Sequence, residues 1–117
     1  MSRRTERVQS LIRHELGEIV QQELKDPRIE GLVSITTVLV TPDLRRARVY
    51  FSVYGAEEAE QHALEALTSA KMYLRHELGR RLRLRYAPDL DLHLDHSLAY
   101  ADQVNRILKN LPPEAVD

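Results

Sequence analysis

The chain reads as an α+β fold, a small three-stranded sheet carrying helices on one face. Two observations predict it. Some segments repeat apolar residues at three- and four-residue steps, while others alternate them strictly with polar ones. Those segments then follow in the order helix, strand, strand, helix, helix, strand and a C-terminal helix. Because all three strands alternate, one face of the sheet should be covered and the other wet.

The first helix is predicted over Arg4 to Lys25. Val8, Leu11, Ile12, Leu16, Ile19, Val20 and Leu24 make one apolar stripe, with Arg7, Arg13, Glu18, Gln22 and Glu23 mostly on the wet side. Asp26-Pro27 stops it, since a residue before proline is pushed out of helical geometry. Gly31 then allows a turn. Val33, Ile35, Thr37 and Leu39 alternate with Ser34, Thr36, Val38 and Val40, a β-branched density that favours a strand. Thr41-Pro42-Asp43-Leu44 has turn chemistry, and Arg46 to Tyr54 returns as an antiparallel partner with Ala47, Val49, Phe51 and Val53 facing the core.

Gly55 ends that strand, and Glu57, Glu58 and Glu60 favour the N-terminus of the next helix through its dipole. Ala59, Ala63, Leu64, Ala66, Leu67 and Ala70 form its buried stripe. Leu74, Leu78 and Leu82 resume the pattern after a kink or break at Thr68-Ser69, whose hydroxyls compete for backbone hydrogen bonds. Pro88 closes this region. Leu90, Leu92 and Leu94 alternate with Asp91, His93 and Asp95 as a third strand. A last helix is expected from about Leu98 to Leu108, with Asp95 or Ser97 as its cap. Residues 1–111 are therefore expected to form one domain, and 112–117 a short acidic, flexible tail.

A chain of 117 residues is long enough to bury a single core without disulfides or metals. It has no cysteine, which excludes a Cys-based zinc site and fits a reducing compartment. The basic start Met1-Ser2-Arg3-Arg4-Thr5-Glu6-Arg7 lacks the apolar run of a signal peptide, and no segment spans a bilayer. A cytoplasmic protein is expected, with no membrane partner and no small-molecule substrate. Nothing points to an obligate dimer, so a monomer is expected.

Charge carries the functional signal. The stretch Lys71 to Arg85 holds Lys71, Arg75, Arg80, Arg81, Arg83 and Arg85 against Glu77 alone, in a chain of formal net charge -1. Cations segregated this way attract a polyanion, and guanidinium forks match phosphate oxygens two at a time. The bland reading is a solvated helix face. Arg81 lies nearer the apolar stripe, where it would snorkel. Arg3, Arg4 and Arg7 form a second cluster, read as an arm contacting nucleic acid or a flexible basic end. Arg45 and Arg46 mark the hairpin tip. Arg28, beside Asp26 and Pro27, is structural first, with phosphate contact as an added role. Tyr50 and Tyr86 are candidates for base stacking, but so few aromatics leave phosphate contacts to supply most of the affinity.

Two stretches resemble the ribosome-binding factor A family, a bacterial factor of small-subunit maturation. They are Asp26-Pro27-Arg28-Ile29-Glu30-Gly31-Leu32-Val33-Ser34-Ile35-Thr36 with Asp43 to Gly55, and Tyr73-Leu74-Arg75-His76-Glu77-Leu78-Gly79-Arg80-Arg81 continuing to Leu90, with Asp95-His96-Ser97 after it. The likeness runs from about Arg3 to Leu111. It implies a type II KH-like fold and a non-enzymatic assembly chaperone. Its partners would be 16S ribosomal RNA and the free 30S subunit or its precursor, and it would assist late maturation and 16S processing, above all at low temperature. It implies no cofactor. The family's Ala-x-Gly helix junction aligns with Ala70-Lys71-Met72, so Met72 stands where glycine is expected, and Lys71 becomes a candidate phosphate contact there.

Two rival classes are weaker. The long first helix and acidic tail would suit a protein-interaction module. His93, Asp95 and His96 would suit a metal site or hydrolase, but their spacing is loose and no fourth ligand is evident.

Overall fold

The computed structural model describes residues 3–29, 32–55 and 57–96. Helix α1 (Arg3–Glu18) leads into a π-helical turn (Ile19–Glu23); strands β1 (Leu32–Val40) and β2 (Arg46–Tyr54) follow, then helices α2 (Glu57–Ser69) and α3 (Lys71–Leu82), and strand β3 (Asp89–Leu94). The expected α-β-β-α-α-β order is present. The C-terminal helix, its Ser97 cap, the 112–117 tail and the Gly31 turn lie outside the described residues.

The sheet runs β1-β2-β3. β1 and β2 are antiparallel, as their short connection dictates, whereas β2 and β3 are parallel, with Arg46 opposite Asp89 and Phe51 opposite Leu94. A parallel return needs a crossover, and α2 and α3 supply it. α1 packs on β1 and α3, and α2 packs on β2 and β3, so the helices share one face. Between the layers lie Ile12, Leu16, Ile19, Leu67, Leu74, Leu78, Val49, Phe51 and Leu90, all essentially inaccessible. Each such side chain stabilises by roughly 1.5–3 kcal/mol on burial. Ala59, Ala63 and Ala66 let α2 lie close to the strands.

Two local features depart from simple periodicity. The first helix does not stay α-helical to Lys25. It widens at Ile19–Glu23, where the Leu24 N–H donates to the Ile19 carbonyl at 3.0 Å, a five-residue step. In β1 the pairing register shifts between Ile35 and Thr37. This bulge changes the inward parity, so Val33 is buried before it and Val38 and Val40 after it, while Leu39 turns outward. The Thr36 hydroxyl at the bulge donates to Asp95 at 2.6 Å.

The break between α2 and α3 falls at Ala70, which has φ −89° and ψ 2°. The Thr68 hydroxyl donates to the Leu64 carbonyl at 2.7 Å, the back-bonding that bends a helix end. Met72 is 72% exposed, and among the described non-glycine residues only Leu44 and Arg83 have positive φ. The junction thus forms without a glycine at 72, because its unusual backbone sits on Ala70.

Arg28 closes the loop after the π turn. Its Nε and Nη2 reach the two Asp26 carboxylate oxygens at 3.0 and 2.7 Å, and its backbone N–H donates to the same carboxylate at 2.9 Å. These bonds hold the Asp26 carboxyl down at about 2. A depressed folded pKa contributes stability above the unfolded value, 3.8, that disappears as pH falls through about 2. A carbon-13 titration should place Asp26 at about 2, and in Arg28→Ala it should return close to 3.8. An unchanged Asp26 titration would refute the pairing.

Candidate nucleic-acid interface

The cations named from sequence divide into two kinds. Arg75 donates from Nε to the Pro88 carbonyl at 3.1 Å and from Nη2 to Ala87 at 3.2 Å, pinning the segment that leaves α3. Arg80 pairs with Glu77 at 2.7 Å but keeps 62% of its side chain exposed. Arg81 is enclosed by carboxylates from three elements: Glu15 at 3.1 Å, Glu77 at 3.4 Å, Glu18 at 3.7 Å, and Glu23. The π turn aims Glu23 at this guanidinium and at the Tyr73 hydroxyl, which donates to it at 2.7 Å. These acids, Glu15 first, hold Arg81 more firmly protonated, while Arg80 and then Arg81 lower the Glu77 carboxyl. His14, Glu15 and Glu18 place ligand atoms within 4.8 Å of one another, but Arg81 already supplies positive charge beside them.

The second kind faces solvent. Arg3, Arg4, Arg7, Arg45, Arg46, Arg83 and Arg85 are exposed, and none forms an ion pair among the described residues. Lys71 is half-buried at the α2–α3 junction. Arg48, which the sequence did not single out, projects from the outer sheet face opposite Asp91.

Tertiary structure joins cations that lie far apart in sequence. Arg4 from α1, Arg45 from the hairpin tip and Arg85 from the α3 exit line one cleft of about 300 Å³. Its floor is apolar, including Val8, Ile12, Leu44, Leu84 and Pro88, and Tyr86 stands at its edge. Local hydrogen bonds tie the hairpin tip together. The Thr41 hydroxyl donates to Asp43 at 2.7 Å, Asp43 accepts the Arg45 N–H at 3.1 Å, and Leu44 takes a left-handed φ of 61°. Those donors hold the Asp43 carboxyl below its usual range.

Arg83 ends α3 in the left-handed region, φ 52° and ψ 43°, while Leu84 donates to the Gly79 carbonyl at 3.0 Å. That reversal turns Arg85 and Tyr86 toward the cleft. A left-handed Arg carries strain that glycine lacks, so Arg83→Gly should raise stability by up to about 1 kcal/mol while deleting a cation. Chemical denaturation would check this; a destabilised variant would contradict it.

The histidine cluster does not converge. His93 pairs with Asp91 at 3.0 Å and stacks on Tyr50 at 5.4 Å, Asp95 accepts from Thr36, and His96 meets Glu60 at 2.7 Å. Each side chain has its own partner.

The family model of ribosome-binding factor A matches residues 4–108. The chain belongs to this family. The ribosome-binding factor A of Caldanaerobacter subterraneus is 44% identical over 100% of this chain and 96% of its own length. That of Acetivibrio thermocellus is 46% identical, covering 90% of this chain and 85% of its own. The crystal structure of ribosome-binding factor A from Thermus thermophilus superposes with a TM-score of 0.67 at 29% identity, over 77% of this chain and 94% of that one. A homology model of Thermus thermophilus ribosome binding factor A, fitted into the cryo-EM map of its complex with the 30S subunit, gives 0.63 at 31% identity, over 75% and 91%. The α+β, type II KH-like fold expected for a ribosome-binding factor A is thus the fold observed. Among the described residues no helix is long and apolar enough to cross a membrane.

Proposed function

We propose that this chain binds the free 30S subunit or its precursor through 16S ribosomal RNA and assists late maturation and 16S processing, with greatest importance at low temperature. It acts without catalysis, as a cytoplasmic monomer whose residues 1–111 form the RNA-binding domain. The observation that carries this reading is the convergence of Arg4, Arg45 and Arg85 on one cleft, none of them in an ion pair among the described residues, although Asp43 lies beside Arg45 there. A relative's fit into a 30S complex supports it.

Within this reading the cations have different roles. Arg3, Arg4, Arg7, Arg45, Arg46, Arg83 and Arg85 meet phosphates directly, and Lys71 adds a contact at the helix junction. Arg80 contributes from its exposed side while paired with Glu77. Arg28, Arg75 and Arg81 act chiefly by holding the backbone and helices that present the others. Phosphate contacts supply affinity that weakens with salt, and RNA shape supplies specificity. Co-sedimentation with precursor and mature small subunits across a salt series tests the reading. Binding at low ionic strength that falls linearly on a log–log salt plot is expected, and no co-sedimentation at low salt would refute it.

A further inference from the structure

We infer that the cleft between α1, the hairpin tip and the α3 exit receives one unstacked nucleotide of a single-stranded RNA segment. This inference rests on the RNA-binding reading above and specifies what enters this site.

The composition of the cleft selects the ligand. Arg4, Arg45 and Arg85 are placed to meet phosphates, but the floor is built from aliphatic side chains and a proline. A paired helix hides its base faces within its own stack and presents backbone and base edges outside. Such a surface satisfies cations but not a concave apolar floor. An extruded base satisfies both: its flat face covers the apolar atoms while its flanking phosphates remain at the rim.

Asp43 sharpens the assignment. Its carboxylate lines the same cleft and is held ionised by Thr41 and the Arg45 N–H, so a phosphate on the floor would be repelled. The phosphates are thereby directed to the arginines. Tyr86, 74% exposed, supplies a stacking surface, and the Arg85 guanidinium lies 5.6 Å from its ring centre. Guanidinium and aromatic planes are the usual platforms for an unpaired base.

The platform is also held in place. Arg75 fixes the carbonyls of Ala87 and Pro88, immediately after Tyr86. This site is separate from the α2–α3 junction, where KH-like domains place their backbone clamp. α3 has 12 residues, so the two ends lie about 18 Å apart.

The test uses the full chain and a labelled five-nucleotide single-stranded RNA, read by fluorescence anisotropy. A second oligonucleotide carries one abasic position at its centre, and a third probe is a perfectly paired hairpin. Loss of the central base should weaken binding about 5- to 100-fold, since one stacked base carries that much. Tyr86→Ala should lower affinity for the intact strand more than for the abasic one and so narrow their difference, whereas Tyr86→Phe should retain it. Equal affinity of wild-type protein for intact and abasic strands would overturn the inference. So would a Tyr86→Ala loss that is the same for both, preference for the hairpin, or no binding of the single strand up to millimolar concentration. Sedimentation of the same preparations with small subunits separates the two levels: intact subunit binding with no base discrimination removes only the cleft assignment.

Discussion

Replacing Arg4, Arg45 and Arg85 together by alanine is expected to lower affinity for small ribosomal subunits by about 10²–10³-fold at low salt, with the melting temperature unchanged. Each side chain is exposed and without an ion-pair partner among the described residues, so its removal strands no carboxylate there. What disappears is three charge-assisted contacts with phosphate, each contributing about 1–1.5 kcal/mol net. The salt slope should flatten by roughly one unit per lost contact. Sedimentation binding at several salt concentrations, together with thermal melting, checks both halves. A triple variant that binds as tightly as wild type would show that this end of the molecule is not the RNA face.

Arg81→Glu should act in the opposite manner, through the fold before any ligand is present. The substitution places a new carboxylate among Glu15, Glu18, Glu23 and Glu77, groups that Arg81 draws together from α1, the π turn and α3. The melting temperature at neutral pH should fall on the order of 10 °C, with α1 separating from α3. The pH dependence should also reverse. In the wild type, Glu77 has a lowered folded pKa, so its contribution is present above the ordinary value of 4.5 and is lost as pH falls. In the variant, clustered carboxylates repel when ionised, so acidification from pH 7 toward 5 relieves strain and narrows the gap in melting temperature. Melting curves at both pH values decide it. A variant as stable as wild type at pH 7 would show that the cluster contributes nothing to packing. Arg80→Ala is the contrast, because Arg80 is mostly exposed and its one ion pair among the described residues is with Glu77.

The two variants separate functions that a charge count merges. Arg80, Arg81, Arg83 and Arg85 lie close in sequence, yet the helix turns Arg81 inward and its left-handed end sends Arg83 and Arg85 outward. The nearness of Arg81 to Leu74 and Leu78 predicted an inward stem with its head in water; instead the guanidinium is held among carboxylates. Those partners were not readable, because Glu15 and Glu23 lie 66 and 58 residues away.

The π turn and the β1 bulge were hidden for a related reason. Ile19, Val20 and Leu24 fit an uninterrupted helical stripe, and the wide turn's contacts from Glu23 to Arg81 and Tyr73 join residues far apart in sequence. β1 carries apolar residues on both parities, so either set could face inward by pattern alone. Packing chose Val33 before the shift and Val38 and Val40 after it.

Among the described residues the sequence by itself settled the order of helices and strands, the antiparallel hairpin and the break near Thr68-Ser69. Those follow from periodicity and turn chemistry, which act over a few residues. The direction of β3, the partners of each arginine and the meeting of Arg4, Arg45 and Arg85 around an apolar hollow were decided only by the folded chain. Whether a cation is neutralised or left to face a phosphate depends on which groups packing brings within a few ångströms, and local spacing carries no record of that.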